Sequence, residues 1–157
     1  MEYSELAGGF ASKFGVEGAS AEGGACMFEI DGMKVSFLHD EEADAVTVYG
    51  EIGLPPPDAD ARLGEVMLRA NNLLEGTGGA VLCQNPETRA YAIFKTFPLA
   101  GMDVETFSAD VEKLVNQVED WKQIAAGLRT AEEAADETKE DAHDAFADIP
   151  AGGFMQV

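Results

Sequence analysis

An α+β fold is predicted by three observations. Short runs of alternating apolar residues occupy the first half of the chain, and a helix-period stripe separates them from a second pair of such runs. A long stripe of period three and four then closes the ordered part. Taken in order the elements read αβββαββα, a five-stranded antiparallel sheet packed with helices. At 157 residues the chain fits one domain, and a domain of that size buries roughly two-thirds of the surface its unfolded form exposes.

Leu6, Phe10 and Phe14 recur every four residues with Ala7 and Ala11 beside them. They predict a short amphipathic helix from about Ser4 to Phe14, stopped by Gly15. Gly8 and Gly9 weaken it, since a glycine costs about 1 kcal/mol in a helix interior relative to alanine. The segment from Gly15 to Gly24, rich in glycine, alanine and serine, reads as loop. Cys26, Phe28 and Ile30 then alternate with Met27 and Glu29 as a first strand, and Asp31-Gly32 suits a two-residue hairpin turn. Val35 and Phe37 alternate with Lys34, Ser36 and Leu38 in a second strand. After the acidic turn from His39 to Asp44, Val46, Val48 and Ile52 alternate with Tyr49 in a third.

Pro55-Pro56-Pro57 cannot donate to a strand ladder and ends the sheet there, with Asp58 or Asp60 placed to cap the next helix. In that helix Leu63, Val66, Met67, Ala70, Leu73 and Leu74 trace one face, until Gly76-Thr77-Gly78-Gly79 stops it. Ala80 to Cys83 reads as a fourth strand, Asn85 to Thr88 as a turn, and Arg89 to Phe97 as a fifth strand. The last helix carries Phe107, Val111, Leu114, Val118, Trp121, Ala125 and Leu128 at steps of four and three, with Asp103 as its N-cap. So apolar a seam must cover the sheet.

Thirty acidic residues against ten basic ones give a formal net charge of −20. Such a surface repels nucleic-acid phosphates and anionic lipid and attracts basic partners, so no nucleic acid and no membrane is expected among its ligands. The opening MEYSELAGGF has no basic segment, and no stretch approaches the ~18 apolar residues that span a bilayer, so a cytoplasmic location is expected. Residues 130–157 hold eight acids and Lys139 as their one base. They read as an acidic, disordered tail following a domain of residues 1–129, with an apolar end from Ile149 to Val157.

Cys26 and Cys83 match no metal spacing and read as reduced, buried thiols. The His39 to Asp44 run lacks the ligand spacing and glycine of a calcium loop and reads as a solvated turn. His143 lies in the tail without a partner. The glycines of 76–79 follow a helix and precede no lysine, so they form no phosphate loop. With no nucleophile, base or metal set, no enzymatic activity and no cofactor are expected. Alternation instead leaves Met27, Leu38 and Tyr49 on the outer face of the first three strands. A peptide's apolar side chains fit such a face, and an open strand edge would add main-chain hydrogen bonds.

The order of these pieces resembles the CesT-like, or Tir chaperone, family of type III secretion chaperones over most of residues 3–129. The likeness rests on strong acidity, Phe28-Glu29-Ile30-Asp31-Gly32, and Val48 to Gly53 running into Leu54-Pro55-Pro56. It also rests on Leu68 to Leu74 with its Asn71-Asn72 pair, the Phe97-Pro98-Leu99 exit, and a final helix reaching Trp121. The resemblance implies a cytoplasmic homodimer that binds an extended N-terminal segment of a secreted effector, keeps it secretion-competent and delivers it to a secretion ATPase. By region, it implies effector contacts at Leu6, Phe10, Phe14, Met27, Leu38 and Tyr49. It likewise implies a dimer interface at Leu63, Val66, Met67, Ala70, Leu74, Ala80, Leu82 and Phe94. The charge admits an alternative, an acidic regulatory or mimic protein that sequesters a basic regulator or nucleic-acid-binding protein.

Overall fold

The computed structural model describes the backbone of residues 2–17, 19–20, 24–55 and 60–147, with side-chain detail over 2–17, 24–55 and 61–128. Helix α1 (Tyr3–Phe14) leads into a two-residue strand β1 (Ala19–Ser20), then β2 (Ala25–Ile30), β3 (Met33–Asp40) and β4 (Ala45–Gly53). Helix α2 (Asp60–Ala70), a 3-10 turn at Asn72–Leu74, β5 (Val81–Gln84), β6 (Tyr91–Pro98) and α3 (Val104–Ala147) complete the order. The strands form one antiparallel sheet in the order β1-β2-β3-β4-β6-β5. The five expected strands are present. β1, in a segment read as loop from its glycine and alanine content, adds a short sixth beside β2.

Local chemistry accounts for the joints. Asp31 and Gly32 both take positive φ, 49° and 75°, which is what a two-residue turn between Ile30 and Met33 requires. In the β3–β4 turn the Asp40 carboxylate accepts hydrogen bonds from the Glu42 and Ala43 N–H groups. Asn85 does the same for Glu87 and Thr88 between β5 and β6. Asp103 caps α3, its Oδ1 accepting the Thr106 N–H at 2.7 Å, and this bond holds its carboxyl below the usual range. The Asp58 cap and the second and third prolines lie outside the described residues.

All three helices lie against one face of the sheet. Phe10 from α1, Phe28 and Phe37 from β2 and β3, Phe97 from β6 and Phe107 from α3 form a single aromatic cluster. Phe37 sits at its centre, with ring centroids 5.0 Å from Phe10, 4.7 Å from Phe28 and 5.1 Å from Phe107. Such edge-to-face pairs contribute about 0.5–1.5 kcal/mol each beyond the apolar area they bury. The α3 stripe lands as its period predicts, with Phe107, Val111, Leu114, Val118 and Trp121 buried and Ala125 and Leu128 packed beside them. The helix backbone continues to Ala147, so the expected limit at residue 129 falls within α3, while residues 148–157 lie outside the described part.

Two features fix the sheet against the helices. At Gly50 on β4, α3 approaches so closely that an added Cβ would stand 2.5 Å from Val118 Cγ2. At the β5 edge, the Asn71 side chain donates from Nδ2 to the Leu82 carbonyl and accepts the Leu82 N–H at Oδ1, both at 2.9 Å. Gly50→Ala should therefore overpack the helix–sheet contact and cost about 1–3 kcal/mol. Asn71→Ala, which leaves both Leu82 groups without that partner, should cost a similar ~1–3 kcal/mol. Chemical denaturation of the two variants measures both.

Candidate functional site

The face of the sheet turned away from the helices carries three rows of side chains. Strand register sets Ala25, Leu38, Thr47 and Thr96 side by side, then Met27, Ser36, Tyr49, Phe94 and Val81, then Glu29 and Lys34. No described helix covers these rows. Met27 is 50% exposed and Leu38 42%, whereas Tyr49 and Phe94, facing each other across β4 and β6, are half-buried. Thr47 and Thr96 join their hydroxyls at 2.8 Å, completing a polar margin to an otherwise apolar strip.

Burial pushes the Tyr49 hydroxyl above its ordinary pKa, with the neighbouring Cys83 thiol adding to the effect. The ring thus stays neutral at physiological pH and presents apolar area with a hydrogen-bonding tip. The thiols of Cys83 and Cys26 are themselves pushed up by burial, so neither is a reactive thiolate. Both are free and half-buried, rather than fully enclosed as their apolar runs suggested.

The sheet's two edges differ. On the β5 side, Leu82 has its N–H and C=O engaged by Asn71. On the β2 side, β1 lies opposite Cys26 and Met27 only, so Phe28 to Ile30 have no strand alongside among the described residues. An extended chain can add there in line with β1, adjoining the row that begins at Met27.

Helix α1 sits beneath this edge, and its residues divide. Leu6 and Phe10 are 0% and 1% exposed and belong to the aromatic core, because α1 turns its period-four stripe down onto β2, β3 and α3. Phe14, one turn on, is 39% exposed beside Phe10. Of the six residues expected to face a partner, Phe14, Met27, Leu38 and Tyr49 thus have surface to offer; Leu6 and Phe10 hold α1 in place. Tyr3 pins the start of the helix by donating to the Phe37 carbonyl at 3.1 Å and stacking on His39 at 4.6 Å. Burial pushes its hydroxyl up to about 12, so it remains a donor across the working pH range.

A second apolar surface lies on and after α2. Leu63, Met67, Ala80 and Leu82 are buried within the protomer, while Val66, Ala70, Leu74 and Phe94 are half-buried. The most exposed apolar side chains here are Leu68 and Leu73, at 74% and 80%, and Leu54 nearby in sequence to α2 is 71% exposed. Leu54 lies outside the expected interface, while Leu68 and Leu73 fall within its Leu63 to Leu74 region without being among the residues named for it. Leu73 was placed on the buried stripe by extending the helical period through it, but the helix ends at Ala70. Leu73 and Leu74 then take positive φ of 57° and 56°. Two successive leucines in that region are strained, and the turn is held by the Gly79 N–H donating to the Leu74 carbonyl and by the Thr77 hydroxyl donating to the Ala80 carbonyl.

Among the described residues, no helix is long and apolar enough to cross a membrane, and no three His, Cys, Asp or Glu side chains cluster to hold a metal ion. No curated protein sequence matches the chain. Among solved structures it is similar to a chain of the HopA1–SchA chaperone–effector complex, with a TM-score of 0.63 at 18% identity over 77% of this chain and 93% of that one. A chain of the ExsC–ExsE complex gives 0.61 at 16% identity, covering 77% and 91%. The Yersinia pestis type III secretion chaperone SycH, in complex with a fragment of YscM2, gives 0.59 at 17%, covering 76% and 99%. These likenesses are of fold. The sequence itself matches the profile of the Tir chaperone protein (CesT) family over residues 5–122, from the first helix to the last turn before the core stripe ends. The chain is a member of the Tir chaperone protein (CesT) family.

Proposed function

We propose that this protein is a type III secretion chaperone that binds an extended segment of a secreted effector, keeps it secretion-competent and hands it to the export apparatus. The observation that carries the reading is the outer face, which no described helix covers: a largely apolar row through Met27, Tyr49 and Phe94 runs up to β2, whose outer edge at Phe28 to Ile30 has no strand alongside among the described residues. Main-chain pairing at such an edge supplies affinity without demanding one sequence, and pockets for alternate side chains supply selectivity. The similar chains found in the HopA1–SchA, ExsC–ExsE and SycH–YscM2 complexes support the same use of this fold. Family membership supports the finer parts of the reading, namely an extended N-terminal client segment, a secretion ATPase as recipient and the cytoplasm as the place of work. In this reading the protein is not an enzyme and needs no cofactor.

The reading includes a homodimer. Leu68 and Leu73 are large, apolar and exposed on and just after α2, a segment that also carries half-buried Val66, Ala70 and Leu74. A second copy covering them removes their apolar surface from water at about 25 cal/mol per Å². Leu63, Met67, Ala80 and Leu82 support that surface from below.

Three outcomes are expected. Light scattering should give twice the chain mass, and the Leu68→Glu, Leu73→Glu double variant should shift it to one chain mass with its helix content intact. Co-purification from the native cell should yield a secreted protein bound through its N-terminal region; Met27→Glu with Leu38→Glu should weaken that complex by at least about tenfold, roughly 1.4 kcal/mol. The complex should persist in 0.5 M salt. Steep dissociation there would favour the charge-driven sequestration of a basic regulator, since salt at that strength screens exposed ion pairs beyond a few ångströms.

A further inference from the structure

The outer face is not uniformly apolar. Beside Met27 and Tyr49 it forms a groove of about 500 Å³ whose other lining includes Glu17, Glu29, Glu51 and Lys34. Glu29 stands directly opposite Lys34 in the β2–β3 pairing, and Glu17 enters from the segment between α1 and β1. Among the described residues none of the three carboxylates is ion-paired. With one ammonium against three carboxylates, the groove carries a formal charge of −2 over an apolar floor.

Its position matters as much as its charge. Met27, Phe28 and Glu29 belong both to the groove and to β2, whose edge beyond β1 has no strand alongside among the described residues. A chain adding along Phe28 to Ile30 projects alternate side chains onto the outer face, and the one opposite Glu29 stands about 5 Å from it. Resting on the proposed role as an effector chaperone, we propose that this groove selects a lysine or arginine in the client. The client's methylene stem would lie on Met27 and Tyr49, and its charged head would reach Glu29 and Glu17. Long basic side chains bury their stems on apolar surface while keeping the head among polar groups, which is the chemistry this lining provides. A carboxylate there would meet three like charges.

The test uses fluorescein-labelled 12-residue synthetic peptides of alternating leucine and serine that differ at one central outward-facing position: arginine, glutamine or glutamate. Fluorescence anisotropy with the full-length chain in 100 mM salt should rank them arginine, glutamine, glutamate, with the first two separated by about tenfold. In the Glu17→Gln, Glu29→Gln double variant the arginine-to-glutamine ratio should collapse to within about twofold, with the circular dichroism of the wild type retained. Equal binding of the arginine and glutamine peptides overturns the inference and leaves the chaperone reading intact. An undiminished ratio in the double variant also overturns it, by placing the preference elsewhere. Failure of all three peptides to bind overturns both the inference and the reading on which it rests.

Discussion

The aromatic cluster centred on Phe37 is the contact from which the remaining geometry follows. One ring each from α1 and α3 meets rings from β2, β3 and β6, so both terminal helices are committed to the same side of the sheet. A five-residue aromatic core of this kind is too large to divide between two faces of so small a domain. Once every described helix lies beneath, no helix among the described residues covers the outer face. The half-exposed methionine, leucine and tyrosine on that face are a direct result of where the phenylalanines went.

Close approach at Gly50 sharpens the arrangement. Without a side chain there, α3 lies deep across β4, and the strands bearing Val48, Ile93 and Val118's contacts are drawn into one tight layer. The sheet is thereby packed tightly from below, under its outer rows. A platform that keeps Met27, Ser36, Tyr49 and Phe94 in register lets a flexible chain adapt to it, so that the ordering entropy of association falls on the ligand rather than on the receptor.

Much of this was legible in the sequence because the period of the apolar residues matches the element that holds them. The α3 stripe, the Asp31-Gly32 turn, the Asp103 cap and the outward placement of Met27, Leu38 and Tyr49 each depend on local spacing, and each stands where expected. What spacing does not carry is depth and termination. Leu6 and Phe10 have the same period as Phe14, but only the tertiary placement of α1 separates two core residues from one at the surface. Leu73 continues a helical period in the sequence, yet the chain turns left-handed at that residue, for which leucine carries no local signal. Likewise β1 is two residues of alanine and serine, and its pairing to β2 comes from the neighbour rather than from any preference of its own.

The paired hydrogen bonds between Asn71 and Leu82 have a bearing on how copies of this molecule behave when crowded together. Endless stacking of sheets, the route to fibres, requires an available rim at both ends of every unit. Here a carboxamide imitates the next strand on one side and shuts that rim at its centre. Addition of a further strand is thereby disfavoured on that side, which guards the sheet against polymerising on itself.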